Sequence, residues 1–246
     1  VGDDGSTDGT AVLARDAGAV VVSTLTNLGY GAALKFGIGK AQYEYLAIID
    51  ADATYPPGEL PRMLGLCESA DMVVGDRGAA MKNVPALRRP AKRFLNWLAS
   101  FLAERRLNDI NSGLRVFRLS ELKPFLGLLP DGFSFTTTIT LCMVCSGKRV
   151  LYTPIDYGVR VGKSKIKPRN FLDFIILLLR FSTLFNPLRV FLPLGLVFFV
   201  AGTLKFAVDL ALWNLSESAI FLWLTAVMVW SVGLLADMMS RLHLRP

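Results

Sequence analysis

The strongest constraint lies near the end of the chain, where long runs of apolar side chains leave no polar face to meet water. Ala219 to Ala236 is an uncharged run of 18 residues, and Val190 to Val208 is interrupted only by Lys205. A helix needs roughly 20 apolar residues to cross a bilayer, and a lysine stem is long enough to carry its ammonium back to the interface. The pattern predicts two membrane spans. Phe171 to Phe185 is shorter and carries Asp173 and Arg180, which suits a helix lying at the interface. Apolar residues make up 52% of the chain and charged residues 19%, with a mean hydropathy of +0.44, so a purely water-soluble protein is excluded.

Charge orients these segments. The link Asp209 to Ser218 holds Asp209 and Glu217 and no Lys or Arg, while Arg180, Arg189, Arg241 and Arg245 lie outside the spans. Cytoplasmic flanks carry the excess of Lys and Arg, so both outer ends are predicted to be cytoplasmic, and the domain ahead of the hairpin with them. Between Tyr157 and Val208 eight basic residues face one acid, Asp173. That surplus, placed where the chain turns apolar, points to anionic membrane lipid and not to nucleic acid. Cys67 and the Cys142-Met-Val-Cys145 pair read as core thiols, because no second pair or nearby His completes a zinc site. The single histidine, His243, reads as a membrane-edge residue.

Residues 1–170 have the composition of an ordinary domain. Short strands are predicted at Ala19 to Ser23, Tyr45 to Asp50 and Asp71 to Gly75, and a helix at Gly31 to Ala41. Strands alternating with helices at this spacing predict an α/β fold, a mostly parallel sheet with helices on both faces and ligands at the carboxyl ends of the strands. Val1 opens directly onto Gly2-Asp3-Asp4-Gly5-Ser6-Thr7-Asp8-Gly9-Thr10, without a signal peptide, so the chain is expected to start inside a domain whose first strand is missing. From Arg88 to Leu107, Phe94, Leu98, Phe101 and Leu102 follow helical spacing between Arg88, Arg89, Lys92, Arg93, Arg105 and Arg106. This amphipathic basic helix has two readings, a cover for the sheet or a helix at the membrane interface. The predicted organisation is a domain at 1–170, an interfacial segment at 171–187 and a transmembrane hairpin at 188–246.

Asp50-Ala51-Asp52 follows the Tyr45 strand and sets two carboxylates at the sheet edge. Hard cations such as Mg²⁺ or Mn²⁺ are held by one or two carboxylates plus substrate phosphate oxygens, so Asp50 and Asp52 are the candidate metal ligands. Asp3-Asp4-Gly5-Ser6 and Asn27-Leu-Gly29-Tyr-Gly31 add two further turns at the same edge. A ligand with a base, a ribose and a diphosphate needs that many contacts.

Together these runs resemble the nucleotide-sugar domain of glycosyltransferase family 2, which has the GT-A type of fold. Gly75-Asp76-Arg77, Asp109-Ile-Asn-Ser112-Gly113-Leu-Arg115 and Arg160-Val-Gly162-Lys-Ser164-Lys165 resemble its polyprenyl-phosphate branch, which includes dolichol-phosphate mannosyltransferases and undecaprenyl-phosphate sugar transferases. The resemblance implies a metal-dependent transfer of sugar from a nucleotide diphosphate to a polyprenyl phosphate, with inversion at the anomeric carbon. It implies that Asp3 and Asp4 contact the nucleoside, with Ser6, Asn27 and Gly31 completing the donor pocket. Asp50 would meet the ribose or metal, and Asp52 the metal. Arg77, Ser112 and Arg115 would surround the acceptor phosphate, and Arg160, Ser164 and Lys165 would close over both phosphates. The catalytic set is then Asp52, Arg77, Arg115, Arg160 and Lys165. A homo-oligomer is compatible with this reading.

Phe133-Ser-Phe-Thr136-Thr-Thr138-Ile-Thr140 departs from the resemblance, standing where many relatives carry a glutamate-containing stretch, which leaves the sugar open. A processive polysaccharide synthase would share the donor domain, but the Gln-x-x-Arg-Trp pattern such synthases resemble one another in does not occur in this sequence. A non-catalytic nucleotide-sugar or lipid-binding membrane partner is the other alternative.

Overall fold

The computed structural model describes residues 1–78, 89–132, 134–158, 176, 179, 183, 185–213 and 216–243. The chain forms two compact units, Val1–Asn170 and Phe171–Pro246.

In the first unit, β1 (Gly2–Asp3) pairs in parallel with β2 (Val22–Ser23) across α1 (Thr10–Asp16). Next come α2 (Tyr30–Gly39), β3 (Tyr45–Ile48), a short 3-10 turn at Pro57–Glu59, α3 (Leu60–Leu66) and β4 (Met72–Asp76). Then follow α4 (Arg89–Leu102), β5 (Arg115–Arg118), α5 (Leu119–Leu122), a second 3-10 turn at Lys123–Leu128, α6 (Phe135–Cys145) and β6 (Val150–Pro154). Four strands form one sheet in the order β3-β5-β4-β6.

The expected mostly parallel sheet is in fact mixed. β5 lies between β3 and β4 and runs antiparallel to both, while β4 and β6 are parallel. Arg115-Val-Phe-Arg118 has a cation at each end and no long apolar run, so its strand character is hidden in the sequence. Its interior is nonetheless enclosed, with Val116 and Phe117 buried. Side chains alternate across the sheet as a two-residue period requires. Val73 and Val116 pack with Met63 and Cys67 of the α3 segment and with Tyr55, Leu114 and Ile155. On the opposite face Arg115 reaches Thr140 of α6. Helices therefore cover both faces, as expected. Cys67 and Cys142 are free and buried, and burial pushes both thiols up, the behaviour of core cysteines.

In the second unit, α7 (Leu188–Ala211) and α8 (Glu217–His243) are each long and apolar enough to cross a membrane. At 1.5 Å per residue, α7 is roughly 36 Å long, against roughly 30 Å for a hydrocarbon core. Aromatic rings fill the places that side chains vacate at glycine. A Cβ on Gly195 would lie 2.2 Å from Nε1 of Trp230, one on Gly202 2.8 Å from the Trp223 ring, and one on Gly233 2.5 Å from Phe191. Trp230 donates to the Leu192 carbonyl at 3.2 Å, and Trp223 donates to the Thr203 hydroxyl at 3.3 Å. Near the turn, buried Asp209 accepts from Lys205 and from the Ser216 hydroxyl, and Lys205 also donates to Ser216 Oγ at 2.9 Å. Most of the interfacial segment expected at 171–187 falls outside the described residues.

Candidate active site

Beyond β3 the chain turns sharply. Asp50 Oδ1 accepts from the Tyr30 hydroxyl at 2.9 Å, and its Oδ2 rests on Gly113, where an added Cβ would lie only 2.2 Å away. Burial first, and the neighbouring Asp50 charge second, push the Tyr30 hydroxyl well above its ordinary value, so it stays protonated and keeps donating. Asp52 Oδ1 accepts from the Thr54 N–H at 3.2 Å and from the Thr54 hydroxyl. Ala53 between them has φ 57°, a left-handed conformation that costs a non-glycine residue about 1–3 kcal/mol.

That donor set fits a divalent cation bound with its ligand. Both side chains offer hard carboxylate oxygens, and among the described residues no cluster of three or more Asp, Glu, His or Cys forms a complete protein cage. A cation here would complete its shell with phosphate oxygens and water, the usual arrangement for Mg²⁺.

A second set of groups is built onto the same edge. The Gly113 N–H, backed against Asp50, donates to the Tyr55 hydroxyl at 2.7 Å. The Tyr55 ring meets Tyr157 edge-on at 5.0 Å, and the Arg77 guanidinium lies over the Tyr157 ring at 5.3 Å. Arg77, just past the end of β4, grips Asp109 as a fork, Nε to Oδ2 at 2.7 Å and Nη2 to Oδ1 at 2.8 Å. Burial works against the Arg77 charge, but the Asp109 pair outweighs it and raises the guanidinium above its ordinary value. The result is a guanidinium held in one orientation, its charge paired with the Asp109 carboxylate. Beside it opens a cavity of about 440 Å³ lined by Asp76, Arg77, Gly78, Arg106, Leu107, Asn108 and Asp109. Contacts thus run without a break from Asp50 through Gly113, Tyr55 and Tyr157 to Arg77.

Several residues expected at the ligand are placed otherwise. Arg115 is fully enclosed and donates to the carbonyls of Ser112 and Ile110, both at 2.8 Å, and to Thr140 Oγ1 at 2.7 Å. It holds the 110–112 turn against α6 instead of meeting an acceptor phosphate. Ser112 is likewise fully buried. Asp4 accepts from the Leu28 N–H at 2.7 Å and the Gly29 N–H at 2.9 Å, so it fastens the glycine turn. Gly31 is covered by the 130–132 backbone, where a Cβ would lie 2.1 Å from the Pro130 carbonyl. Asp3 is buried and accepts from the Ser6 N–H at 3.2 Å. Ser6 and Asn27 are exposed. Arg160, Ser164 and Lys165 lie outside the described residues.

Tyr30, Tyr55, Tyr157, Asp109 and Gly113 join the site without being among the residues expected to form it. Asp109 and Gly113 at least belong to the motif that ends at Arg115. The tyrosines gave no signal, because an aromatic beside an acidic turn is ordinary core material. The threonines of α6 prove to be scaffold: Thr140 accepts from Arg115, and Thr137 donates to the Asn111 side chain.

Residues 1–120 match the sequence model described as Glycosyl transferase family 2, and residues 186–242 match that of the GtrB C-terminal hairpin. Glycosyltransferase AglJ of Haloferax volcanii is 30% identical, over 98% of this chain and 84% of its own. An undecaprenyl-phosphate mannosyltransferase of Micrococcus luteus is 30% identical, over 67% of this chain and 73% of its own. A polyprenol monophosphomannose synthase of Mycolicibacterium smegmatis is also 30% identical, over 68% and 69%. Among solved structures, glucosyl-3-phosphoglycerate synthase from Mycobacterium tuberculosis shares the fold. Its complex with Mn²⁺, uridine diphosphate and product superposes at TM-score 0.54 and 22% identity, over 73% of this chain and 67% of that one. Its complex with Mg²⁺ and uridine diphosphate gives 0.54 and 21%, with this chain spanning 66% of that structure.

Proposed function

The chain belongs to glycosyl transferase family 2 and is a membrane-anchored glycosyltransferase with a GT-A fold, and we propose that it moves a hexose from a nucleotide diphosphate to the phosphate of a polyprenol. The observation that carries this reading is the continuous run of contacts joining the Asp50–Asp52 carboxylates to the Arg77 cation and its cavity. One end suits a metal-bound diphosphate and the other a phosphate monoester. The names of the relatives, which act on undecaprenyl phosphate and polyprenol, support the acceptor class.

A divalent ion, Mg²⁺ or Mn²⁺, held by Asp52 with Asp50 beside it would neutralise the nucleoside diphosphate as it departs. Tyr30 fixes the Asp50 carboxylate by its 2.9 Å hydrogen bond, and Gly113 lets that carboxylate sit against the backbone. Ser6 and Asn27, both exposed, are available to the nucleoside. On the acceptor side Arg77, held in one orientation by Asp109, neutralises the incoming phosphate. A phosphate monoester has a second pKa near ~6, so its oxygen is already a nucleophile at neutral pH and the site requires no general base. Bringing two polyanions together is then the main task, and fixed cations perform it. Attack by that oxygen directly on the anomeric carbon inverts it. Arg160, Ser164 and Lys165 complete the proposed phosphate contacts, and the domain works on the cytoplasmic leaflet.

The test is a panel of radiolabelled nucleotide sugars offered to proteoliposomes of the chain containing undecaprenyl or dolichyl phosphate. Label extractable into organic solvent with one donor and one acceptor is expected. Failure of every donor to label either lipid would overturn the reading.

A further inference from the structure

Thr54 and Tyr55, which follow the Asp50-Ala-Asp52 turn, are 1% and 3% exposed. A buried hydroxyl costs free energy unless it is bonded, and both of these are bonded into the site. The Thr54 hydroxyl and the Thr54 N–H, the latter at 3.2 Å, donate to Asp52 Oδ1. The Tyr55 hydroxyl accepts from the Gly113 N–H at 2.7 Å, and Gly113 is the residue on which Asp50 Oδ2 rests. Each residue of the pair holds one carboxylate, Thr54 directly and Tyr55 through a backbone amide.

The same pair also reaches away from the turn. The Thr54 carbonyl accepts from the Gly158 N–H at 2.8 Å. The Tyr55 ring meets Tyr157 edge-on at 5.0 Å, and the Arg77 guanidinium lies over that second ring at 5.3 Å. Arg62 pins the start of this segment, donating to the Thr153 hydroxyl at 2.6 Å and to the Pro154 carbonyl at 2.8 Å. Residues 153–158 are therefore tied at both ends, and the ties at the far end come from the two residues that hold the carboxylates.

Packing alone does not call for these groups. Valine has the shape of threonine and phenylalanine the ring of tyrosine, so an apolar pocket would take either without burying a hydroxyl. What the apolar residues lack is the bond to Asp52 and the bond to Gly113. Groups that orient a metal ligand without touching the metal change its affinity by about 10–100-fold when they are removed.

We propose that Thr54 and Tyr55 are positioning residues: Thr54 orients the Asp52 carboxylate for a divalent cation, Tyr55 fixes Gly113 beneath Asp50, and together they hold the cation site and the Arg77 platform at one spacing. This rests on the metal assignment at Asp50 and Asp52. Contact with the cation stays with the carboxylates, and contact with phosphate stays with Arg77.

The test uses the full chain in detergent micelles with Mn²⁺ alone, counted by electron paramagnetic resonance, and needs no sugar transfer. Thr54→Val is expected to weaken Mn²⁺ binding by about tenfold or more, whereas Thr54→Ser, which keeps the hydroxyl, stays within about twofold of wild type. In parallel, saturating Mn²⁺ is expected to slow amide exchange by about tenfold at Gly158 and at Gly113, the two N–H groups that the pair holds. Thr54→Val should lose the slowing at Gly158 and keep it at Gly113, and Tyr55→Phe should do the reverse. A merely structural role would instead lower the unfolding midpoint and loosen both amides together. Wild-type Mn²⁺ affinity in Thr54→Val, or an equal loss in Thr54→Ser, overturns the role of the hydroxyl. Slowing that persists at both amides in both variants overturns the tie. A wild-type chain that binds no Mn²⁺ overturns the inference, and label on lipid in the sugar panel would then keep the transfer reading. The expected Mn²⁺ and exchange results beside a failed sugar panel would reject that reading and leave the positioning standing.

Discussion

Asp52 is the proposed metal ligand, and changing it to Asn removes charge at nearly constant volume. Asp52→Asn is expected to lower turnover by about 100-fold or more, the scale of losing one charge-stabilising contact, with an unchanged unfolding midpoint. Excess chelator should reproduce that loss in the wild type, and full activity under either treatment would sink the metal assignment. Arg77 is a fork held by Asp109, and lysine cannot replace a fork. Arg77→Lys should raise the KM for polyprenyl phosphate by roughly 10–100-fold, the worth of a charged hydrogen bond, while nucleotide affinity measured by calorimetry stays the same. Asp3 offers a pH test. Hydrogen bonds from Ser6, then Ser23, lower its carboxyl from the ordinary 3.8. The folded value lies below the unfolded one, so its stabilising contribution is present above pH 3.8 and is lost as pH falls toward the folded value. Asp3→Asn should therefore flatten the acid limb of a stability–pH curve recorded by near-ultraviolet circular dichroism, and an unaltered limb would show that Asp3 does not contribute.

At the scale of elements, the Asp50–Asp52 turn was legible because two carboxylates after an apolar strand form a local pattern, and the spanning helices because length and hydropathy alone define them. β5 was not legible. Arg115 and Arg118 resemble ligand-binding cations in one dimension, and only the packing of Met72, Thr140 and the 110–112 carbonyls around Arg115 shows a cation serving as scaffold. The same applies to Asp4 and Gly31, whose partners, the Leu28 and Gly29 amides and the Pro130 carbonyl, are fixed by turns and by a segment far along the chain. Glycine in α7 makes the complementary point, for Gly195 is there because the Trp230 ring occupies the space of its side chain. Gly195→Val should destabilise the hairpin by about 1–3 kcal/mol through overpacking, read as a lower unfolding midpoint in detergent. Leu196→Val, at an exposed position, should change it little. Equal midpoints for the two variants would mean that the Trp230 contact does not hold the helices.

At the scale of the whole molecule, the proposed topology has two spans that return the chain to the side from which it entered, so that residues 1–170 and the segment after α8 share a compartment. Asn214→Cys is expected to react with an impermeant thiol reagent in intact cells, and Arg245→Cys to react only after lysis. The reverse pattern would put the site on the side without nucleotide sugars. The polar knot at the hairpin's turn bears on how the molecule is made. Asp209 emerges from the ribosome seven residues before Ser216, which meets it on the far side of the turn. Until Ser216 has followed, the end of the first helix carries Lys205 and Asp209 without the hydroxyl that bonds to both of them. The polar groups at the end of the first helix thus find their partners only with the start of the second, which makes the pair of helices, and not either one alone, the unit that satisfies them.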